Sequence, residues 1–262
     1  VFPSIVPHAE RLCEEVWSPA VVAPSAKPCG HQRQKTRALT TKEIKGLIDD
    51  FVQGARRVRE AGADAVELHA AHGYLIQQFL SSRTNVRTDQ YGGSLENRMR
   101  FLLEIIEGVR DVVGKDYPIL LRLSVDEFYR CIGEESEPGI ELEEGVEIAR
   151  RAETAGIDGI DVTSATFETI NYWLEPTTFE LGWRKNLARA VKVAVSIPVL
   201  AANLIRSPEQ AEEQLREGIQ DFVCLGRGHL ADPEWANKAR SGHSDEIRRC
   251  ICCLWCFESL NI

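Results

Sequence analysis

The stretch VELHAAHGYL, residues 66–75, places His69 and His72 three residues apart at the end of an apolar run, in a chain with only six histidines. Neutral imidazoles donate hydrogen bonds. Two such donors at a strand-to-loop bend can converge on one oxygen and stabilise negative charge developing there. The quieter alternative is that one histidine caps the loop and the other packs. A metal site is the weaker option, because no nearby carboxylate or third histidine completes a ligand set. Farther along, FVCLGRGHL sets Gly226 and Arg227 after an apolar stretch. Glycine lets the backbone approach a phosphate and arginine pairs with its charge, whereas a surface arginine after a turn glycine would look the same. The loop at Ala202 and Asn203, in AANLIRSPE, would lie one unit earlier and beside it. Arg122 sits inside the apolar LLRLS. A buried cation needs a partner, either a polarised ring edge or a carboxylate on a neighbouring strand such as Glu67. Finally, Cys250, Cys253 and Cys256 form a C-x2-C-x2-C run, with Cys252 between them. Thiolates spaced this closely suit an iron–sulfur cluster; reduced thiols and a zinc knuckle are the alternatives.

Regular elements must carry these residues. Residues 1–38 hold prolines at 3, 7, 19, 24 and 28 and read as irregular. Order then sets in. Thr40 stands three residues before Glu43, a capping-box spacing. Ile44, Leu47, Ile48, Phe51, Val52, Ala55 and Val58 follow at helical intervals up to Gly62,. DAVELHA then reads as a buried strand. The alternation recurs: LENRMRFLLEIIEGVRDVVG before YPILLRLS, LEEGVEIARRAETAG before IDGIDVTS, LGWRKNLARAVKVAV before IPVLAAN, and a helix opened by Ser207-Pro208-Glu209 before DFVCLGR. PEWANKARSG reads as the last helix. Serial helix and strand in this order predicts a parallel sheet. An open doubly wound sheet would favour a G-x-G-x-x-G turn, which the chain lacks. A barrel instead keeps function at the C-terminal ends of its strands, where His69, His72, Arg122, Asn203, Gly226 and Arg227 all fall. The predicted fold is a (β/α)8 TIM barrel, incomplete here, with five good strands and the first three missing before residue 39. Residues 1–245 are assigned to the barrel and 246–262 to the start of the iron–sulfur motif.

Composition narrows the function. The 262 residues are 44% hydrophobic, ample for a core, and carry a net charge of −9. That charge disfavours non-specific binding to nucleic acid or an anionic membrane. No apolar run reaches the roughly 18 residues of a membrane span, and the first residues do not resemble a signal peptide. The chain does not begin with Met, which suggests processing or truncation. Eight cysteines, half of them crowded near the C-terminus, fit a reduced, cytoplasmic setting better than a secreted disulfide framework,. The oligomeric state stays open, a homo-oligomer among the options.

The run VELHAAHGYLIQQFLSSRTNVRTDQYGGSLENRMRFLLEII, with LLRLS, PVLAANLIRSPEQAE and FVCLGRGHLADPEW in the same order, resembles the Old Yellow Enzyme family of FMN-dependent NAD(P)H:flavin oxidoreductases. The resemblance implies a (β/α)8 barrel. It implies that His69 and His72 bind the carbonyl oxygen of an α,β-unsaturated substrate, with Tyr74 as candidate proton donor. Arg122 would face the flavin N1/O2 edge. Gly226 and Arg227 would hold the FMN phosphate, helped by Ala202 and Asn203. The block YGGSLENR would be a structural turn and helix start. The C-terminal cysteines resemble the larger members, such as 2,4-dienoyl-CoA and 2-enoate reductases and trimethylamine dehydrogenase. Those members imply a [4Fe–4S] cluster on Cys250, Cys253 and Cys256, and FAD and NAD(P)H sites in the intact protein. The sequence departs from the pattern in lacking the fourth cluster cysteine, in the extra Cys252, and in lacking the first barrel strands, since VFPSIVP resembles the segment just after the third strand. The dienoyl-CoA reductases' relay histidine has no counterpart in TSATFETINYWLEP. The histidine pair favours alkene reduction over amine oxidation. A flavin-dependent amine dehydrogenase and a non-catalytic remnant are the rival readings.

Overall fold

The computed structural model describes residues 4–5, 21–28 and 36–259. The first long helix, α1 (Thr41–Glu60), begins where its side chains can satisfy the free backbone donors. Thr40 accepts from the Glu43 N–H and the Glu43 carboxylate accepts from the Thr40 N–H,. Its inner face buries Ile44, Ile48, Phe51 and Ala55, each large apolar side chain contributing roughly 1.5–3 kcal/mol. That face meets α3 (Leu95–Val113), with the Phe51 and Phe101 rings edge to face at 6.1 Å. A short helix, α2 (Leu75–Leu80), comes directly after the histidine pair.

Six strands make one parallel sheet: β1 (Ser4–Ile5), β4 (Val66–Ala70), β5 (Ile119–Ser124), β6 (Gly159–Thr163), β7 (Val199–Ala201) and β8 (Phe222–Val223), side by side in that order. β2 (Val21–Ala23) and β3 (Thr36–Ala38) pair separately, also parallel. Parallel neighbours need long crossovers. These are α2 with α3, α4 (Leu142–Thr154), α5 (Lys185–Lys192) and α6 (Pro208–Arg216). Two short helices, α7 (Arg227–Ala231) and α8 (Trp235–Arg240), come after β8, and α9 (Trp255–Glu258) carries Cys256.

The expected strand count is corrected by one. Ser4 and Ile5 pair with Glu67 and Leu68, so VFPSIVP supplies a strand rather than only the segment after one. A two-residue strand between Pro3 and Pro7 leaves no alternation to detect. Otherwise the parallel α/β expectation holds.

Alternation along the strands divides the sheet. Val66, Leu68, Ala70, Leu121, Leu123, Ile160 and Val162 are buried in the core shared with the helices. Glu67, His69, Arg122 and Asp161 take the intervening positions and the opposite face,. Register sets His69 beside Arg122 and Arg122 beside Asp161. A line of polar residues therefore crosses the sheet at one level, toward its C-terminal ends.

Candidate active site

At one end of this line the two histidines come together, their rings 5.2 Å apart and edge to face. His72 lies just past β4 with φ 57°, a left-handed conformation held by the bond from its N–H to Ser124 Oγ. Its Nε2 is 3.0 Å from Thr163 Oγ1, and its ring stacks on Trp173 at 4.3 Å. Burial holds its pKa well below the usual value, helped by the charges of Arg122, His69 and Arg184, so the ring is neutral near pH 7. The Ala71 N–H donates to His69 Nδ1, which leaves Nε2 as the donor nitrogen of that ring. Tyr74 caps α2 and packs edge to face on His69 at 4.9 Å. All three expected residues are thus in one cluster.

Beside it, a cavity of about 210 Å3 opens over β5 to β8, and four arginines line it: Arg122, Arg184, Arg206 and Arg227. One carboxylate among them does most of the pairing. Glu175, almost wholly buried, takes Arg184 at 2.7 Å and Arg227 at 2.6 Å. Arg122 pairs with Asp161 at 2.8 Å. The partner is on β6, not the Glu67 of β4 that the sequence suggested. Asp161 and Glu67 are both pushed up mainly by burial, Glu67 to about 7. The Nε groups of Arg122, Arg184 and Arg206 are buried without hydrogen-bond partners. Unmet donors on residues that line a cavity suit an anionic or carbonyl-rich ligand,.

Gly226, Arg227 and Ala202 line this cavity as expected. Nothing lies within 4 Å of where a Gly226 side chain would start, so the backbone there is open to a ligand. Asn203 does not line it. Its side chain accepts from the Arg184 N–H and donates to Gln214. Arg227 is already engaged by Glu175. The cysteine expectation fares differently: Cys250 and Cys252 reach the cavity wall, Cys253 is exposed, and among the described residues no three His, Cys, Asp or Glu side chains gather as metal ligands. The donors as they stand do not fit a cluster.

The sequence reading missed Thr163, Trp173, Glu175, Arg184 and Arg206. Four of these come from one region, residues 163–184, whose length between β6 and α5 is the signal that could have flagged it. A phosphate- and carbonyl-bearing group of the FMN type fits this lining through the open backbone at Gly226 and the unmet donors of Arg122 and Arg206.

Comparisons agree with this chemistry. The family model described as NADH:flavin oxidoreductase / NADH oxidase matches residues 7–246. An NADH oxidase of Thermoanaerobacter brockii is 50% identical over 232 residues, 88% of this chain and 35% of its own length. A cinnamate reductase of Clostridium sporogenes is 36% identical over 226 residues, 83% and 34% of the two chains. The structure of histamine dehydrogenase from Rhizobium sp. 4-9 superposes with a TM-score of 0.80 at 35% identity, over 90% of this chain and 34% of that one. The chain spans about a third of the length of these relatives.

Proposed function

Because the chain belongs to the NADH:flavin oxidoreductase / NADH oxidase family, we propose that it is the FMN-binding part of an oxidoreductase. Its reaction would be reduction of the activated C=C bond of an α,β-unsaturated carbonyl compound with electrons from NAD(P)H. The pair of imidazoles, with His72 buried and neutral, beside an arginine-lined cavity carries this reading. FMN bound in the cavity would supply the hydride. Arg227 and the open backbone at Gly226 would hold its phosphate, with Ala202 in the neighbouring loop, and Arg122 would donate to its ring edge. His69 and His72 donate to the substrate's carbonyl oxygen and stabilise the charge that gathers there as the β-carbon is attacked. Tyr74, which packs on His69, would return a proton to the α-carbon,. The similarity to a cinnamate reductase supports this substrate class.

The similarity to histamine dehydrogenase favours a second reading, amine oxidation. An amine offers no carbonyl oxygen to two donors, so the histidine pair weighs against it. Placement among the cluster- and FAD-bearing members rests on the spacing of Cys250, Cys253 and Cys256 alone. The cytoplasmic setting rests on cysteine usage. The test is the intact protein, purified anaerobically and analysed for FMN, FAD, iron and sulfide, then given NAD(P)H with cinnamate-type alkenes or amines with an electron acceptor. Alkene turnover with bound FMN supports the proposal. Amine turnover alone favours the second reading, and a protein without flavin would mark a non-catalytic remnant.

A further inference from the structure

A buried chain of polar contacts links the two ends of the site. Arg227 pairs with Glu175, Glu175 with Arg184, Arg184 Nη1 approaches Thr163 Oγ1 at 3.4 Å, and Thr163 Oγ1 meets His72 Nε2 at 3.0 Å. Thr163, Glu175, Arg184 and His72 are each less than a tenth exposed. A guanidinium only donates, so Arg184 occupies an acceptor site of the Thr163 oxygen. The hydroxyl proton must then point elsewhere. Among the described residues His72 Nε2 is the other partner of that oxygen.

We infer that Thr163 is a positioning residue that donates to His72 Nε2, fixes the imidazole as its Nδ1–H tautomer, and so aims Nδ1–H at the substrate oxygen. Were Nε2 protonated instead, the Thr163 proton would face Arg184 or nothing. The His72 backbone is set independently by Ser124, and the ring plane by Trp173. Thr163 therefore governs which nitrogen carries the proton rather than where the ring sits. His69 is the complement, with Nδ1 accepting from the backbone and Nε2–H as donor. The pair would present one Nδ1–H and one Nε2–H. The tautomer stands on this chain's own contacts; its use in catalysis rests on the reading under Proposed function.

The test uses the intact protein with 15N-labelled histidine, the His72 signals being identified by their loss in His72→Gln. Wild type should show a protonated Nδ1 and a bare Nε2 at pH 7. Thr163→Val, close in shape but without the hydroxyl, should move proton density toward Nε2, and Thr163→Ser should restore the wild-type pattern. Thr163→Ala is the second hydroxyl-free variant should Val disturb flavin content. In half-reactions, Thr163→Val should slow oxidation of the reduced enzyme by an enone about tenfold, the scale of one hydrogen bond. A wild-type His72 protonated at Nε2, or hydroxyl-free variants with unchanged signals, would overturn the inference. If wild type turns over no enone, the substrate reading falls, and the nitrogen signals still decide the tautomer.

Discussion

At the scale of single residues, the proposed chemistry depends on two imidazoles held close, with burial keeping His72 neutral. Replacing both His69 and His72 with Ala should slow enone reduction by roughly a hundredfold or more, the scale of a lost oxyanion donor. Stopped-flow mixing should show reduction by NAD(P)H little changed; intact enone turnover would make the pair structural. Arg227→Ala should weaken FMN binding by about 2–4 kcal/mol, as expected for losing a charge-assisted phosphate contact. Flavin retention on dialysis reports it, and retention equal to wild type would count against the assignment. The histidine pair and Gly226-Arg227 were legible because their spacing is local. Arg122's partner was not: whether Glu67 or Asp161 faces it depends on register across three strands. Asn203 is a similar case. Its position just past β7 was readable, but not its bonds to Gln214 and the Arg184 N–H.

Elements were legible wherever a local rule sufficed. The Thr40–Glu43 box, Ser207 with Pro208, and the glycine after α1 all fall where the sequence placed them. β1 and α2 escaped because two and six residues carry too little periodicity, and α5 starts at Lys185, later than its apolar pattern suggested. Glycines within helices separate propensity from packing. Gly46 in α1 has nothing within 4 Å of a would-be Cβ. Gly46→Ala should therefore raise stability by about 0.5–1 kcal/mol. Gly145 in α4 lies against β5, where the same atom would come 2.1 Å from the Val125 carbonyl oxygen. Gly145→Ala should destabilise by roughly 1–3 kcal/mol despite the better helix former, because the helix must back away from the strand. Thermal melts of the two variants in the intact protein should move in opposite directions; a rise for Gly145→Ala would refute the packing argument.

At the scale of the molecule, charges stored inside a parallel sheet tie stability to pH. Glu67 and Glu127 are each pushed up to about 7, chiefly by burial. A carboxyl whose folded pKa is raised leaves stability intact below its unfolded value of about 4.5, and stability is lost as pH climbs through about 7. Each such group costs on the order of 2–3 kcal/mol above that range. Glu67→Gln should therefore gain thermal stability over wild type at pH 8 but not at pH 4.5; equal shifts at both would disprove the link. Glu127 is the poorer choice, since Ser81, Gln77 and the Ile140 N–H all donate to its carboxylate, and an amide would turn an N–H against one of them. Among the described residues, the outer strands β1 and β8 each have one neighbour in the sheet. Unpaired strand edges template association. The 262-residue chain alone should self-associate on gel filtration, and a monodisperse monomer would contradict this.

The common level of His69, Arg122 and Asp161 has a consequence for how the protein tolerates lengthening and shortening. Because side chains alternate, deleting one residue within β5 would carry Arg122 from the site face to the helix face and bring a leucine in its place. The Arg122 position, and with it the pairing to Asp161, would be lost through one missing codon, with each neighbouring helix still intact. The exposed stretch 130–137 after β5 carries no such constraint. Natural length variation should gather there and in similar loops and stay out of the strands. The site is thus free to acquire new loop walls around a ruler of fixed strand lengths.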